Sequence, residues 1–85
     1  MGTKNNPGAF DCYANALPDE PMFILLARDP SFYRRVYSWS DERAELIRCG
    51  ERAEADWPMV FEARQCAVSG ETWRKAHNGI WRKQK

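Results

Sequence analysis

The chemistry of this chain is narrowed first by what it lacks. Histidine occurs once in 85 residues, at His77, and the three cysteines, Cys12, Cys49 and Cys66, contain no Cys-x-x-Cys pair. A structural zinc site draws about four ligands from this set, so the inventory barely allows one. An odd cysteine count behind no signal peptide leads us to expect free thiols and a cytoplasmic protein. The five glycines form no phosphate-cradling loop, and no histidine-centred nucleophile set is present. An enzyme is therefore the least supported class, and no cofactor is called for. The longest apolar run, Met22 to Ala27, falls far short of the ~20 residues of a membrane helix. The net charge of +1 is too balanced for a general nucleic-acid coat. Internal repeats and low-complexity tracts are absent from the sequence.

Aromatic residues, by contrast, are plentiful: four Trp, four Phe and three Tyr. Each can bury roughly 150–250 Å², which helps a chain this short to build a core at all. Charge is unevenly spread. Acids outnumber bases eight to four from Asp41 to Glu71, whereas Arg74 to Lys85 holds five bases and no acid. Such a tail is either an ordinary solvated terminus or a means of steering anions.

The pattern predicts an all-α fold, a small helical bundle. Residues 1–9, polar with Pro7 and two glycines, read as a flexible N-terminal arm; 10–85 read as one helical domain. Asp11 opens a helical turn near 11–16, which Leu17-Pro18 ends. Asp19, Glu20 and Pro21 carry the cap, dipole and proline signals of a second helix, about 20–28, closed by Arg28. Six apolar residues in a row, Met22 to Ala27, give that helix no polar face, so it must be covered on most sides; a strand is the rival reading. Asp29-Pro30 restarts the chain into a longer helix, about 30–49, ending at Gly50. Its apolar stripe is Phe32, Val36, Trp39, Leu46 and Ile47, with Ala44 nearby and with Ser38, Ser40 and Asp41 as a weak middle that could divide it. Asp56 caps the last helix, about 57–77, whose inner face reads Met59, Ala63, Cys66, Gly70 and Trp73, with Val60 and Ala67 alongside. Its small residues admit a close neighbour, so the two longer helices are expected to pack antiparallel, with Ile80 and Trp81 folding back.

Candidate binding residues fall in clusters, each with a plainer alternative. Tyr13 and Asn15 supply a ring to stack on a base and an amide to bond its edge, or they simply pack and end the first turn. Asp19 can accept a ligand hydroxyl, although capping explains it as well. Arg28 can grip a phosphate in a fork, or serve as a helix-end charge. Tyr33, Arg34 and Arg35, beside Tyr37, form an aromatic and cationic set suited to nucleotides, and equally an ordinary amphipathic surface. Trp73 to His77 and Trp81 to Lys83 interleave aromatics with cations, but Trp73 falls on the inner stripe and reads as core. The cysteines read as small, buried or half-buried apolar residues.

The run Cys12-Tyr13-Ala14-Asn15-Ala16, followed by Asp19-Glu20-Pro21-Met22-Phe23-Ile24-Leu25-Leu26-Ala27-Arg28-Asp29-Pro30, resembles a group of short phage and prophage proteins. They share an Asp-Glu-Pro-x-Phe-x-Leu-x-Ala-Arg-Asp signature ahead of a Trp-containing helix, here carrying Trp39, and a helical C-terminal half. The signature covers about a third of the chain and brings no catalytic residue with it. The resemblance implies a small, non-enzymatic accessory protein acting in the cytoplasm of an infected bacterial host. One expected role is to sequester a nucleotide-type immune signal, a cyclic oligonucleotide or an ADP-ribose derivative, between subunits of a homo-oligomer. The other is to occlude a host defence protein such as a CRISPR nuclease complex. Nucleic acid, through the basic tail, is a weaker third partner, and no membrane partner is expected.

Overall fold

Two helices of unequal length carry the core in the computed structural model of the chain, which describes residues 1–77. The expected stop at Asn78-Gly79, the fold-back of Ile80 and Trp81, and the tail beyond lie outside the described residues. The elements are α1 (Cys12–Asn15), α2 (Phe32–Arg48) and α3 (Trp57–Ala76), with a 3-10 turn at Glu54–Asp56 leading into α3. All regular structure among the described residues is helical, with no strand among them.

Local chemistry marks each helix start, although only α1 has a side-chain cap. The Asp11 carboxylate accepts the N–H of Ala14 and opens α1. Before α2, Oδ1 of Asp29 accepts both the N–H and the hydroxyl of Ser31, each at 2.8 Å. The N–H of Phe32 donates to the Asp29 carbonyl. Asp29-Pro30-Ser31 is thus a launching turn, and the helix proper begins two residues after Pro30. α2 then runs unbroken to Arg48, where Gly50 takes the left-handed conformation at φ +84°. The N–H of Gly50 returns to the Ile47 carbonyl. At the head of α3, Pro58 occupies the first turn. Asp56 caps nothing there with its side chain; it accepts from Arg52 Nε at 2.8 Å instead.

The buried positions are Phe32, Ser40, Ala44 and Ile47 on α2 and Val60, Ala63, Ala67 and Gly70 on α3. They recur at helical spacing on one face of each helix. Contacts between the helices run in opposite order along α2 and α3. The Phe32 ring lies against Gly70, Arg64 reaches Ser40 and Asp41, and Ile47 packs with Val60. Gly70 is required where it stands, because a Cβ there would run into the Phe32 ring. Ser40 is the largest departure from the expected stripe: it is fully buried rather than a weak middle. Its hydroxyl donates to the Tyr37 carbonyl at 2.6 Å and accepts from Arg64 Nε at 3.2 Å. This pairing removes the cost of burying a polar group. Around the core's other end, Trp57 packs against Ala44, Ile47 and Val60 and stacks on Phe61.

Two expectations need correction. The inner face of α3 is turned from the predicted one: Val60 and Ala67 sit at its centre, Met59 and Cys66 are half-buried, and Trp73 is 38 % exposed. Trp73 lies past Gly70, where no residue of α2 precedes Phe32 to cover it. The segment 20–28 is not a helix. Between the turn that returns Glu20 N–H to Leu17 and the turn that returns Asp29 N–H to Leu26, the chain carries no regular structure. Pro21 and Pro30 leave room for little more than two helical turns. A helix that short depends on tertiary packing, and four of the six apolar residues receive little of it from the described residues: Met22, Phe23, Ile24 and Leu26 are all exposed.

Candidate functional site

Four of the seven predicted site residues, Tyr13, Asn15, Arg34 and Arg35, line two surfaces that share no residue. The first is an open hollow of about 520 Å³ between α1, the apolar segment and the start of α3. Tyr13 and Asn15 both line it, together with Phe10, Glu20, Phe23 and Met59. α1 sets the positions of Tyr13 and Asn15, because one helical turn from the Asp11 cap carries both. Tyr13 is 72 % exposed, so its ring is free to stack. Glu20 is held at the rim, where its Oε1 accepts the N–H of Leu17 at 3.0 Å. This hollow offers aromatic faces, an amide and a carboxylate, but no cation.

The second surface is a shallow groove of about 370 Å³ on α2, lined by Arg34, Arg35, Ser38, Trp39 and Glu42. Its cations come from consecutive helix positions, and Trp39 lies one turn further on. Arg43 sits over the Trp39 ring at 5.0 Å, which fixes the indole against the helix. Beside the groove, Tyr33 stacks on Tyr37 with ring centroids 5.5 Å apart. Tyr37 in turn carries Arg64 over its ring at 5.5 Å. Tyr33 therefore belongs to an aromatic ladder on α2, and only its outer part is available.

Asp19 and Arg28 line neither surface. Asp19 is exposed in the turn after Pro18, and Arg28 is half-buried in the turn that ends the apolar segment. Among the described residues neither has an ion-pair partner. The chain thus brings Tyr13 together with Asn15 and Arg34 with Arg35, and does not bring the two pairs together.

Several electrostatic features bear on these surfaces. The Asp29 carboxyl is held below the usual carboxylate range by the Ser31 N–H and hydroxyl, with Arg35 and Arg34 adding to the effect. Glu62 on α3 is a residue that sequence reading did not single out. It clasps the N-terminal segment, accepting the N–H of Ala9 at 2.9 Å and of Phe10 at 3.1 Å. The terminal amine lies 3.4 Å away. Burial alone would raise the Glu62 carboxyl, but these two N–H bonds and the amine outweigh it and hold it low. This clasp positions Phe10 on the wall of the hollow. No local motif announces it, since the partners lie more than fifty positions apart.

Burial pushes the Cys66 thiol up, which disfavours the thiolate a nucleophile needs. Trp73 and His77 stack with centroids 4.0 Å apart, and His77 Nδ1 lies 2.8 Å from the Trp73 carbonyl oxygen. Among the described residues no three His, Cys, Asp or Glu side chains converge on a metal position, and no helix is long and apolar enough to cross a membrane. Comparison with known proteins supplies no relative: no family model, curated protein or solved structure matches the chain.

Proposed function

We propose that this chain is a phage-derived counter-defence protein that acts in the host cytoplasm by binding rather than catalysis. In this reading copies associate through the apolar segment. A nucleotide-type immune signal, a cyclic oligonucleotide or an ADP-ribose derivative, is held where the hollow of one copy meets the groove of another. The observation that carries it is the division of labour between the two surfaces. The hollow has the stacking ring and the amide suited to a base; the groove has the guanidinium pair suited to phosphate. A nucleotide needs both, and one protomer keeps them apart. The scaffold in this reading is an antiparallel hairpin of α2 and α3, supported by the opposed order of the Phe32–Gly70, Ser40–Arg64 and Ile47–Val60 contacts.

Calorimetry of the full chain against cyclic dinucleotides, cyclic trinucleotides and ADP-ribose derivatives tests this reading. Binding that weakens at least tenfold in both Tyr13→Ala and Arg34→Ala supports it. Silence across the panel at 100 µM-scale protein overturns it.

A second reading has its own observation. Phe23 is 86 % exposed and Ile24 63 %, and a bare aromatic and aliphatic patch of that kind suits a protein partner. Under this reading the chain occludes a host defence protein. Recovery of one stoichiometric host protein that Phe23→Asp no longer captures would favour it over the sponge.

A further inference from the structure

The stretch between the two turns has unpaired main chain as well as bare side chains. Among the described residues, none of the N–H groups from Met22 to Arg28 donates to a protein acceptor, and none of the carbonyls from Pro21 to Leu25 accepts. Exposure alternates along its second half: Ile24 and Leu26 are exposed, Leu25 and Ala27 half-buried. That is the period-two pattern of a strand leaning on its own domain by one face. An apolar segment with a free main-chain edge is a template for pairing.

We infer that this segment pairs with the same segment of a second copy as a two-stranded antiparallel ribbon centred on Ile24. Symmetry and chemistry fix the register. A two-fold antiparallel pair must be centred on a residue that faces itself. Centring on Ile24 sets Met22 opposite the partner's Leu26, Phe23 opposite the partner's Leu25, and Pro21 opposite the partner's Ala27. It also brings Glu20 beside the partner's Arg28, once at each end of the ribbon. Centring on Phe23 would leave Glu20 facing leucine, and centring on Leu25 would set Arg28 against methionine. Ile24 is the centre that matches opposite charges and keeps apolar residues facing one another.

Proline supplies a second, independent constraint. Pro21 has no N–H, so it must occupy a non-hydrogen-bonded pair. Alternation then makes Met22, Ile24 and Leu26 the hydrogen-bonded positions, and about six main-chain bonds close the ribbon. The free N–H groups of Met22, Ile24 and Leu26 are the donors this requires. The ribbon is smaller than a standard interface of about 1,600 Å², so dissociation in the micromolar range is expected.

This pairing forms without a nucleotide, so its test is run without one, and its failure is separate from failure of the calorimetry above. The full chain is measured by sedimentation equilibrium from about 1 to 200 µM. Helix content by circular dichroism confirms that each variant is folded. The native chain is expected to reach dimer or a higher even state. Ile24→Pro removes a donor at the centre and is expected to stay monomeric. Phe23→Pro falls on a non-hydrogen-bonded position and is expected to keep the dimer within about threefold of native. Glu20→Arg and Arg28→Glu are each expected to weaken association roughly tenfold, and the double variant to recover most of the loss. A native chain monomeric at 200 µM overturns the ribbon. So does equal disruption by the two prolines, which is the signature of simple apolar contact, and so does a double variant no better than either single one.

Discussion

Ile47 and Ile24 are the same side chain in opposite surroundings. Ile47 is 5 % exposed, packed with Ala44 and Val60 under the edge of Trp57; Ile24 is 63 % exposed in a stretch with no regular structure. The difference lies in what each can find within its own chain. Ile47 belongs to a helix long enough to present one apolar face to another helix of similar length. Ile24 belongs to a six-residue run with apolar side chains on every side, set between turns, and the described residues leave it exposed. Burial thus follows from the presence of a complementary face rather than from hydrophobicity alone.

The same substitution at both sites gives the largest contrast. Ile47→Ala removes three carbons from a closed core and leaves a cavity, so it is expected to cost about 2–4 kcal/mol of unfolding free energy. Ile24→Ala, measured at protein concentrations low enough to keep copies apart, is expected to change stability by less than about 0.5 kcal/mol. Urea unfolding of both variants at a few micromolar checks this. Equal losses at both sites would mean that Ile24 is covered within the protomer, and the contrast would collapse.

Gly70→Ala gives the next largest effect, with a competition built into it. Alanine is the better helix former by about 1 kcal/mol, so an open site would gain stability. At Gly70 the new Cβ would run into the Phe32 ring, and overpacking of this kind costs about 1–3 kcal/mol. A net loss of about 1 kcal/mol is expected, with thermal unfolding as the readout. The exposed control Ser69→Ala, on the outer face of α3, is expected to gain a few tenths of a kcal/mol. A stabilised Gly70→Ala would show that α2 and α3 are not held at this separation.

Much of the scaffold was legible in the sequence because its signals are local. Asp11, Asp29-Pro30, Gly50 and Pro58 mark helix ends within a few residues, and the small residues Ala63, Ala67 and Gly70 announce close approach. The apolar segment was misread for a physical reason. Asp19, Glu20 and Pro21 are helix-start residues, but start signals do not lengthen a helix that the next proline cuts short, and nothing local says whether a covering surface exists. Ser40 misled in the other direction. A serine in mid-helix reads as a weak point until Arg64, twenty-four positions away, satisfies it. The candidate site was legible in pairs only: Tyr13 with Asn15, and Arg34 with Arg35, since residues one or two positions apart stay close in space whatever the fold. Which pair faces which is set by tertiary geometry.

Ser40 also separates the two regions by polarity, since the closed pair of helices buries a hydroxyl that the open segment never has to accommodate. Ser40→Ala removes the acceptor of Arg64 Nε and one donor to the Tyr37 carbonyl. A loss of about 1 kcal/mol is expected. Asp41→Asn breaks the neighbouring Arg64–Asp41 pair, whose carboxylate is 61 % exposed, and a change of no more than about 0.5 kcal/mol is expected. A double-mutant cycle on Ser40 and Arg64 checks that the hydroxyl, rather than the ion pair, accounts for the coupling.

The smallest effect is local and depends on pH. The Glu62 carboxyl is lower in the folded chain than its ordinary value of 4.5. A carboxyl depressed on folding contributes stability that is fully present above its unfolded value and is lost as pH falls through its folded one. The N–H groups of Ala9 and Phe10 are bound to its charged form, so acid should release the N-terminal segment from α3 before the helices themselves separate. Amide exchange at Ala9 and Phe10 is expected to lose protection as pH falls below the ordinary carboxylate range, through the lowered Glu62 value, while Ala44 and Val60 keep theirs. Glu62→Gln is expected to show the unprotected pattern already at neutral pH and to flatten the transition. If protection at Ala9 and Phe10 instead fell together with that of Val60, the clasp would be part of the closed core. The boundary between the two regions would then lie nearer the N-terminus than the burial pattern places it.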